Sequence, residues 1–470
     1  MTDIQLIDVS FGERPVRLRL PFRFGVITLR EARQVFVKAH VRCADGREGE
    51  GISAELLIPK WFDKSADRTN EDNVNQLRQA LRNASAAYMN EAPARAFALH
   101  AAKAADIEAA AATHDLPPLV ASYGPALLDR ALIDALCRIE GVSVFDAVRQ
   151  NRLGISAATA PDLEGFRFDD FLKTLVPART ISLRHTVGMV DPLVAADQSD
   201  ADRLNDGLPE TLEEVIAQTG VTHFKLKVGG DVDADVARLK AIAAVIDRCP
   251  HYAVSLDGNE QFKDAAGVVA LWDRIAAEPD LARLRDNILF IEQPIARASA
   301  LSTDIAALAA IKPVEIDESD GFVGAFPAAK ALGYQGISSK SCKGFYRAII
   351  NRARCDMWNE MAGEKRYFMS AEDLTTQAGI ALQQDLALAS LIGCTHVERN
   401  GHHYVSGMAG VPDAEADAFV DAHGDLYRKD GDAVRLRVEN GQLALGSLHT
   451  PGLGSAVIPD FGAMTPMPEA

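Results

Sequence analysis

The sequence predicts an α/β protein: a closed parallel β/α barrel preceded by an α+β unit. Three observations carry this reading. From about residue 180 short β-prone runs alternate with Ala-rich helical stretches. There are eight such runs, and after the first their starts lie 22 to 35 residues apart, the length a strand, loop, helix and return loop need in a parallel crossover. A charged residue closes nearly every run, as expected where strand ends converge on one pocket.

In chain order, residues 1 to about 65 read as strands and loops. Gln34 to Val41 is rich in Val, Phe and Ala, and Ala44-Asp45-Gly46-Arg47 supplies a hairpin turn. From about Asp72 to Thr113 the chain is Ala-rich with helical apolar spacing. Gly124 and Pro125 suit the entry of a second helix through Ala126, Leu127, Leu128, Ala131, Leu132, Ala135 and Leu136. The predicted barrel strands are Thr180 to Arg184, His223 to Lys227, Ala253 to Asp257, Ile288 to Ile291, Val314 to Asp317, Gly336 to Lys340, Tyr367 to Ser370 and Thr395 to Val397. An open doubly wound sheet would show a Gly-rich phosphate loop after its first strand, and Gly229-Gly230 is not one. The stretch Gly441 to Leu445 reads as a strand returning to the N-terminal sheet. The expected units are 1–179, 180–409 and 410–470.

Composition narrows the function. A chain of 470 residues with 48 % hydrophobic and 24 % charged residues can bury a sizeable core, and a net charge of −17 argues against a nucleic-acid surface. The six cysteines, Cys43, Cys137, Cys249, Cys342, Cys355 and Cys394, form no Cys-x-x-Cys or zinc-ligand pattern and read as reduced, buried thiols. Neither a leader-like start nor a run long enough to span a bilayer is visible, so a cytoplasmic protein without membrane partners is expected.

The strand ends carry the chemistry. In Phe224-Lys225-Leu226-Lys227-Val228 alternation puts both lysines on one face, pointing into a barrel mouth; an edge strand guarded by lysines gives the same pattern. A neighbouring cation disfavours protonation of a lysine, so the pair brings one amine toward a working pKa. Asp257, Glu292 and Asp317 end three successive strands. Each alone reads as a turn, a strand exit or a helix entry, but together they make the oxygen-rich set that a hard divalent cation takes. Lys340 ends a strand on the far side of these acids from Lys227. Lys343 reads as a solvated loop residue. Adjacent His402 and His403 suit loop or substrate contacts better than a shared metal, and Trp61 and Phe62 suit packing of the cap.

In these motifs the sequence resembles the enolase superfamily, and within it the mandelate racemase/muconate-lactonizing-enzyme group. The resemblance rests on Lys225-x-Lys227, Asp257-x-Asn259, Glu292-Gln293-Pro294, Asp317-Glu318-Ser319 and Lys340-x-x-Lys343. It extends to Pro451-Gly452-Leu453-Gly454 and to the helix carrying Asp129 and Asp134. It implies a modified (β/α)7β TIM-type barrel with an α+β cap built from the N-terminal region and the C-terminal segment. It also implies one Mg²⁺ on Asp257, Glu292 and Asp317, with Lys227 and Lys340 as acid/base pair and Lys225 tuning Lys227. Asn259, Gln293, Glu372 and Glu398 would support the site or the substrate, and Phe24 and Glu55 would lie on loops that close over it.

The implied reaction is removal of a proton alpha to the carboxylate of a small molecule through an enediolate, giving racemisation, epimerisation or cycloisomerisation, in a homo-oligomer. β-Elimination by an acid-sugar dehydratase or similar lyase is the alternative. A Schiff-base aldolase and a non-catalytic carboxylate-binding barrel are further rivals. Two features depart from the family: the helical stretch from about 65 to 120 is long, and Val397-Glu398-Arg399-Asn400 lacks the Asp-x-Asp of dipeptide epimerases.

Overall fold

The computed structural model describes residues 2–24, 27–374 and 376–469, the side chains of Phe24 and Ile27 excepted. Strands β1 (Ile4–Phe24), β2 (Ile27–Cys43) and β3 (Glu48–Leu56) form an antiparallel meander, turning from β2 to β3 at residues 44–47 as the Asp-Gly signal predicts. Three helices follow: α1 (Asn70–Tyr88), α2 (Ala96–Thr113) and α3 (Pro118–Glu140). Thr69 and Asp72 close the start of α1 with a reciprocal capping box, which satisfies backbone donors that the first turn leaves unpaired.

Helix α3 begins six residues before Gly124, with Pro125 inside it, so the predicted helix entry there is incorrect. A tertiary demand explains the glycine. A Cβ on Gly124 would lie 1.9 Å from the Ala80 carbonyl oxygen, so its absence lets α3 press directly on α1. Gly51 does the same for β3, where a Cβ would lie 2.1 Å from the Ala131 carbonyl oxygen of α3.

The second sheet curls through eight parallel strands: β4 (Thr180–Val187), β5 (His223–Lys227), β6 (Ala253–Asp257), β7 (Ile288–Glu292), β8 (Val314–Ile316), β9 (Gly336–Ser339), β10 (Phe368–Ala371) and β11 (His396–Glu398). They pair in chain order from β4 to β10, and β11 comes back beside β4. All eight predicted strands are present, β5 and β6 with the predicted bounds. Outward residues such as Phe224, Leu226, Val254 and Leu256 are buried against the surrounding helices, which leaves the opposite side chains of the same strands for the interior. No helix among the described residues is long and apolar enough to cross a membrane.

The C-terminal segment departs from expectation. After the hairpin of β12 (Tyr427–Asp430) and β13 (Ala433–Leu436), β14 (Gln442–Ala444) joins the barrel, pairing antiparallel with β4 rather than with the N-terminal sheet. The contact with the N-terminal sheet is made instead by β15 (Thr465–Pro466), which pairs with β1 at Gly12 and Glu13. Between them the Pro-Gly-Leu-Gly turn docks on α3. The Leu453 amide donates to Asp134 Oδ1 at 2.7 Å, and the other oxygen of Asp134 accepts the Ile52 amide at 2.9 Å. One carboxylate thus ties together β3, α3 and the C-terminal segment.

Candidate active site

Parallel register brings the charged strand ends level: Lys227 lies opposite Asp257, and Asp257 opposite Glu292. Both lysines of β5 point inward, as alternation requires. Lys225 is buried in a cage of four acids, its Nζ 2.9 Å from Asp257, 2.7 Å from Glu292, and 2.9 Å from both Glu372 and Glu398. Burial alone would lower its pKa, but these carboxylates outweigh it and hold Lys225 well above the ordinary lysine value. Lys227, nearer the opening, donates to Asp257 Oδ2 and, at 2.6 Å, to Asn259 Oδ1.

Across the acids, Lys340 Nζ donates to Asp317 Oδ1 at 2.7 Å and to Glu372 Oε2 at 2.6 Å, and lies 5.0 Å from the centre of the Trp61 ring. Against the effect of burial, Asp317 and Glu372 keep it firmly cationic. Lys343 is not the solvated residue expected. The turn at Ser341–Lys343 folds it back beneath the site, where it is buried and donates to the carbonyls of Asp317 and Ser338, both at 2.8 Å.

Carboxylate oxygens of Glu292, Asp317 and Glu372 all lie within 4.8 Å of one another. Glu372 joins Glu292 and Asp317 in this cluster, and Asp257, level with Glu292 on the next strand, accepts from Lys225, Lys227 and the Asn259 amide. Burial, then the charges of Asp257 and Glu372, push Glu292 well above the usual carboxylate range, and its Oε2 is buried without a hydrogen-bond partner. Burial works the same way on Asp317 and Glu372, yet the adjacent lysines hold both low. Three hard oxygens converging with one left unmatched fit a divalent cation such as Mg²⁺.

The supporting residues fall into place unevenly. Gln293 is a strut: its Oε1 accepts the amides of Asp317 at 2.8 Å and Ser319 at 3.1 Å, fixing the loop that presents Asp317. Glu398 accepts from Lys225, from the Asn400 side chain at 2.8 Å and from Thr186. Glu55 does not reach the pocket. It lies sealed between β3 and the barrel, accepting from Arg130 at 3.3 Å and Ser341 at 3.4 Å. The Phe24 side chain lies outside the described residues. His402 and His403 pack against His185, ring centres 5.3 and 5.1 Å away, and do not line this pocket.

Sequence reasoning missed several participants. Arg184, the last residue of the first predicted strand, donates to Glu372 at 2.9 Å, and its place at a strand end was the available signal. The outer wall is apolar, made by Phe22, Ile58, Trp61 and Leu374, with Asn400 beside them. Trp61 thus faces the pocket, while Phe62 packs edge-on against Tyr123 as cap packing requires.

Residues 207–338 match the family model described as enolase C-terminal domain-like. No curated protein matches the chain in sequence. Among solved structures the chain is similar to the L-Ala-D/L-Glu epimerase from Bacillus subtilis in a substrate-liganded complex (16 % identity, 97 % of this chain and 99 % of that one, TM-score 0.57). It is similar as well to a mandelate racemase/muconate lactonizing protein from Herpetosiphon aurantiacus (16 %, 97 % and 99 %, TM-score 0.60). A third is an enolase from Bradyrhizobium complexed with magnesium and mandelic acid (18 %, 100 % of both chains, TM-score 0.58). The chain therefore has the fold of the enolase superfamily, and its barrel resembles that superfamily's C-terminal domain in sequence as well.

Proposed function

We propose that this chain is a magnesium-dependent enzyme of the enolase superfamily that removes the proton alpha to a substrate carboxylate, with racemisation, epimerisation or cycloisomerisation as the outcome. We read its curled sheet as the modified (β/α)7β barrel of that superfamily. The observation that carries the proposal is the placement of Lys227 and Lys340 in one pocket, on strands that flank the acidic ends of β6, β7 and β8.

Asp257, Glu292 and Asp317 would hold the cation, with Glu372 converging on the same point. When bound, Mg²⁺ supplies fixed positive charge that offsets the second negative charge of an enediolate. The protein's own residues do the rest. The unprotonated amine of Lys227 takes the alpha proton from one face, and the C–H electron pair moves into the carboxylate to give the enediolate. Lys340, held cationic by Asp317 and Glu372, returns a proton to the opposite face and inverts the carbon. Lys225, caged by carboxylates, keeps its charge and does not compete as base.

The test is exchange of the alpha proton in D₂O over a panel of acid sugars, N-acylamino acids, dipeptides and lactones with Mg²⁺ present. Exchange that chelation abolishes, lost from one enantiomer in Lys227→Ala and from the other in Lys340→Ala, is the expected result. Full exchange by chelated enzyme would refute the metal role. Loss from both enantiomers in each single variant, with Mg²⁺ still bound, would favour one-base elimination.

A further inference from the structure

An arginine from the barrel holds the segment after β3 that carries Trp61 over the mouth. Arg297 follows β7 and donates from NH2 to the Trp61 carbonyl at 2.9 Å and from NH1 to the Phe62 carbonyl at 3.0 Å. Glu260, just past β6, grips the same guanidinium at 2.9 Å from Nε and 2.8 Å from NH2, and also accepts the Arg297 amide at 2.7 Å. Lys64, on the far side of the segment, pairs with Glu260 and donates to the Asn259 carbonyl at 3.3 Å. Delivering Glu260 to this spot requires two consecutive non-glycine residues in left-handed conformation, Asn259 at φ +42° and Glu260 at φ +68°. Such conformations cost energy and persist where surrounding contacts impose them. Neither Arg297 nor Glu260 lines the pocket.

We infer that Arg297 and Glu260 form a latch that positions the Trp61–Phe62 segment over the pocket mouth, so that the Trp61 ring covers Lys340 and shields the reacting face from water. Two carbonyls of one segment bonded by one planar guanidinium fix its orientation as well as its position, which an ammonium cannot do. Because the side-chain oxygen of Asn259 accepts from Lys227 while its neighbour Glu260 holds Arg297, the latch runs from one lysine's strand to the covering of the other. Its value for catalysis rests on the proton-abstraction reading; its effect on Trp61 does not.

The test therefore needs no substrate. The chain has three tryptophans. Trp272→Phe/Trp358→Phe leaves Trp61 as sole reporter, read in the Mg²⁺-supplemented full-length protein by emission maximum and iodide quenching. Acetic anhydride labelling of Lys340, mapped by mass spectrometry, reads the second consequence. Arg297→Ala in that background is expected to red-shift Trp61, raise its quenching constant several-fold and raise Lys340 labelling to a similar degree. Millimolar guanidinium should restore all three. Glu260→Gln and Arg297→Lys should give intermediate shifts, and they carry the test should Arg297→Ala lose its fold by circular dichroism. Unchanged Trp61 quenching in all three variants would overturn the latch, as would changes that guanidinium leaves untouched. If the latch readouts behave as expected while no acid exchanges its alpha proton, the latch stands and the proton-abstraction reading falls.

Discussion

Two buried acidic clusters meet consecutive residues just past β9, one at Lys340 and the other at Ser341, and they differ instructively. At the mouth, Asp257, Glu292, Asp317, Glu372 and Glu398 crowd around lysines. At the seam between cap and barrel, Glu55 and Asp385 meet Arg130, Ser341 and Arg399. Both contain a displaced carboxyl: Glu292 at the mouth, and Glu55, which burial and the charge of Asp385 push up to about 8. A perturbed acid is thus no sign of chemistry by itself. Glu55 has both oxygens engaged, by the Leu56 amide and by Arg130 and Ser341, and does not line the mouth. Glu292 keeps one buried oxygen unmatched amid convergent acids below an opening. The unmatched oxygen, with room for a ligand, separates a site from a strut.

The largest expected effect lies at the mouth. Lys227→Ala or Lys340→Ala should each lower alpha-proton exchange from its own face by about 10²- to 10⁴-fold, measured by NMR in D₂O, because a positioned acid or base contributes on that order. Glu55→Gln should leave exchange within about threefold of wild type; a loss as large as that of the lysine variants would erase the distinction between the clusters.

Next comes the cation. Mg²⁺ should raise the melting temperature of the wild type, as any ligand of the folded state does. Glu292→Gln and Asp317→Asn should abolish that rise in scanning calorimetry, while Glu55→Gln should keep it. A full Mg²⁺ response in Glu292→Gln would remove Glu292 from the ligand set.

A smaller effect tests the close packing behind both clusters. Gly124→Ala places a methyl group against the Ala80 carbonyl, and urea unfolding should show a loss of roughly 1–3 kcal/mol, the usual cost of overpacking.

The smallest effect is a pH dependence at the seam. The folded-state value of about 8 for Glu55 lies above the ordinary glutamate value of about 4.3, so folding favours its neutral form. That contribution is complete below about pH 4 and is lost as pH rises toward 8. Glu55→Gln, neutral throughout, should gain stability relative to wild type between pH 5 and pH 6, by on the order of 1 kcal/mol. A difference that does not change with pH would mean that Glu55 is ionised in the fold.

The parallel strands were legible because nearly every one ends in a charge after an apolar run, and β5 and β6 came out residue for residue. What failed depended on distant partners. Gly124 carries a local helix-entry signal that the contact with Ala80 overrides. The strand at Gln442–Ala444 is recognisable by itself, but nothing local tells which sheet has a free edge for it. Glu372 was legible only as a neighbour of the site, since it follows its strand and reaches the cluster through the turn beyond β10.

The pairing of β15 with Gly12 and Glu13 carries a consequence for biosynthesis. A ribosome that has delivered β1 to β3 must add more than four hundred further residues before residues 465–466 emerge to complete their sheet. Until then the outer edge of β1 offers unpaired backbone groups near Gly12, a template for neighbouring nascent chains. The β4 edge waits likewise for residues 442–444. Cap and barrel therefore cannot mature one after the other during translation; each is finished by the same late segment, and both close together after synthesis has passed residue 466.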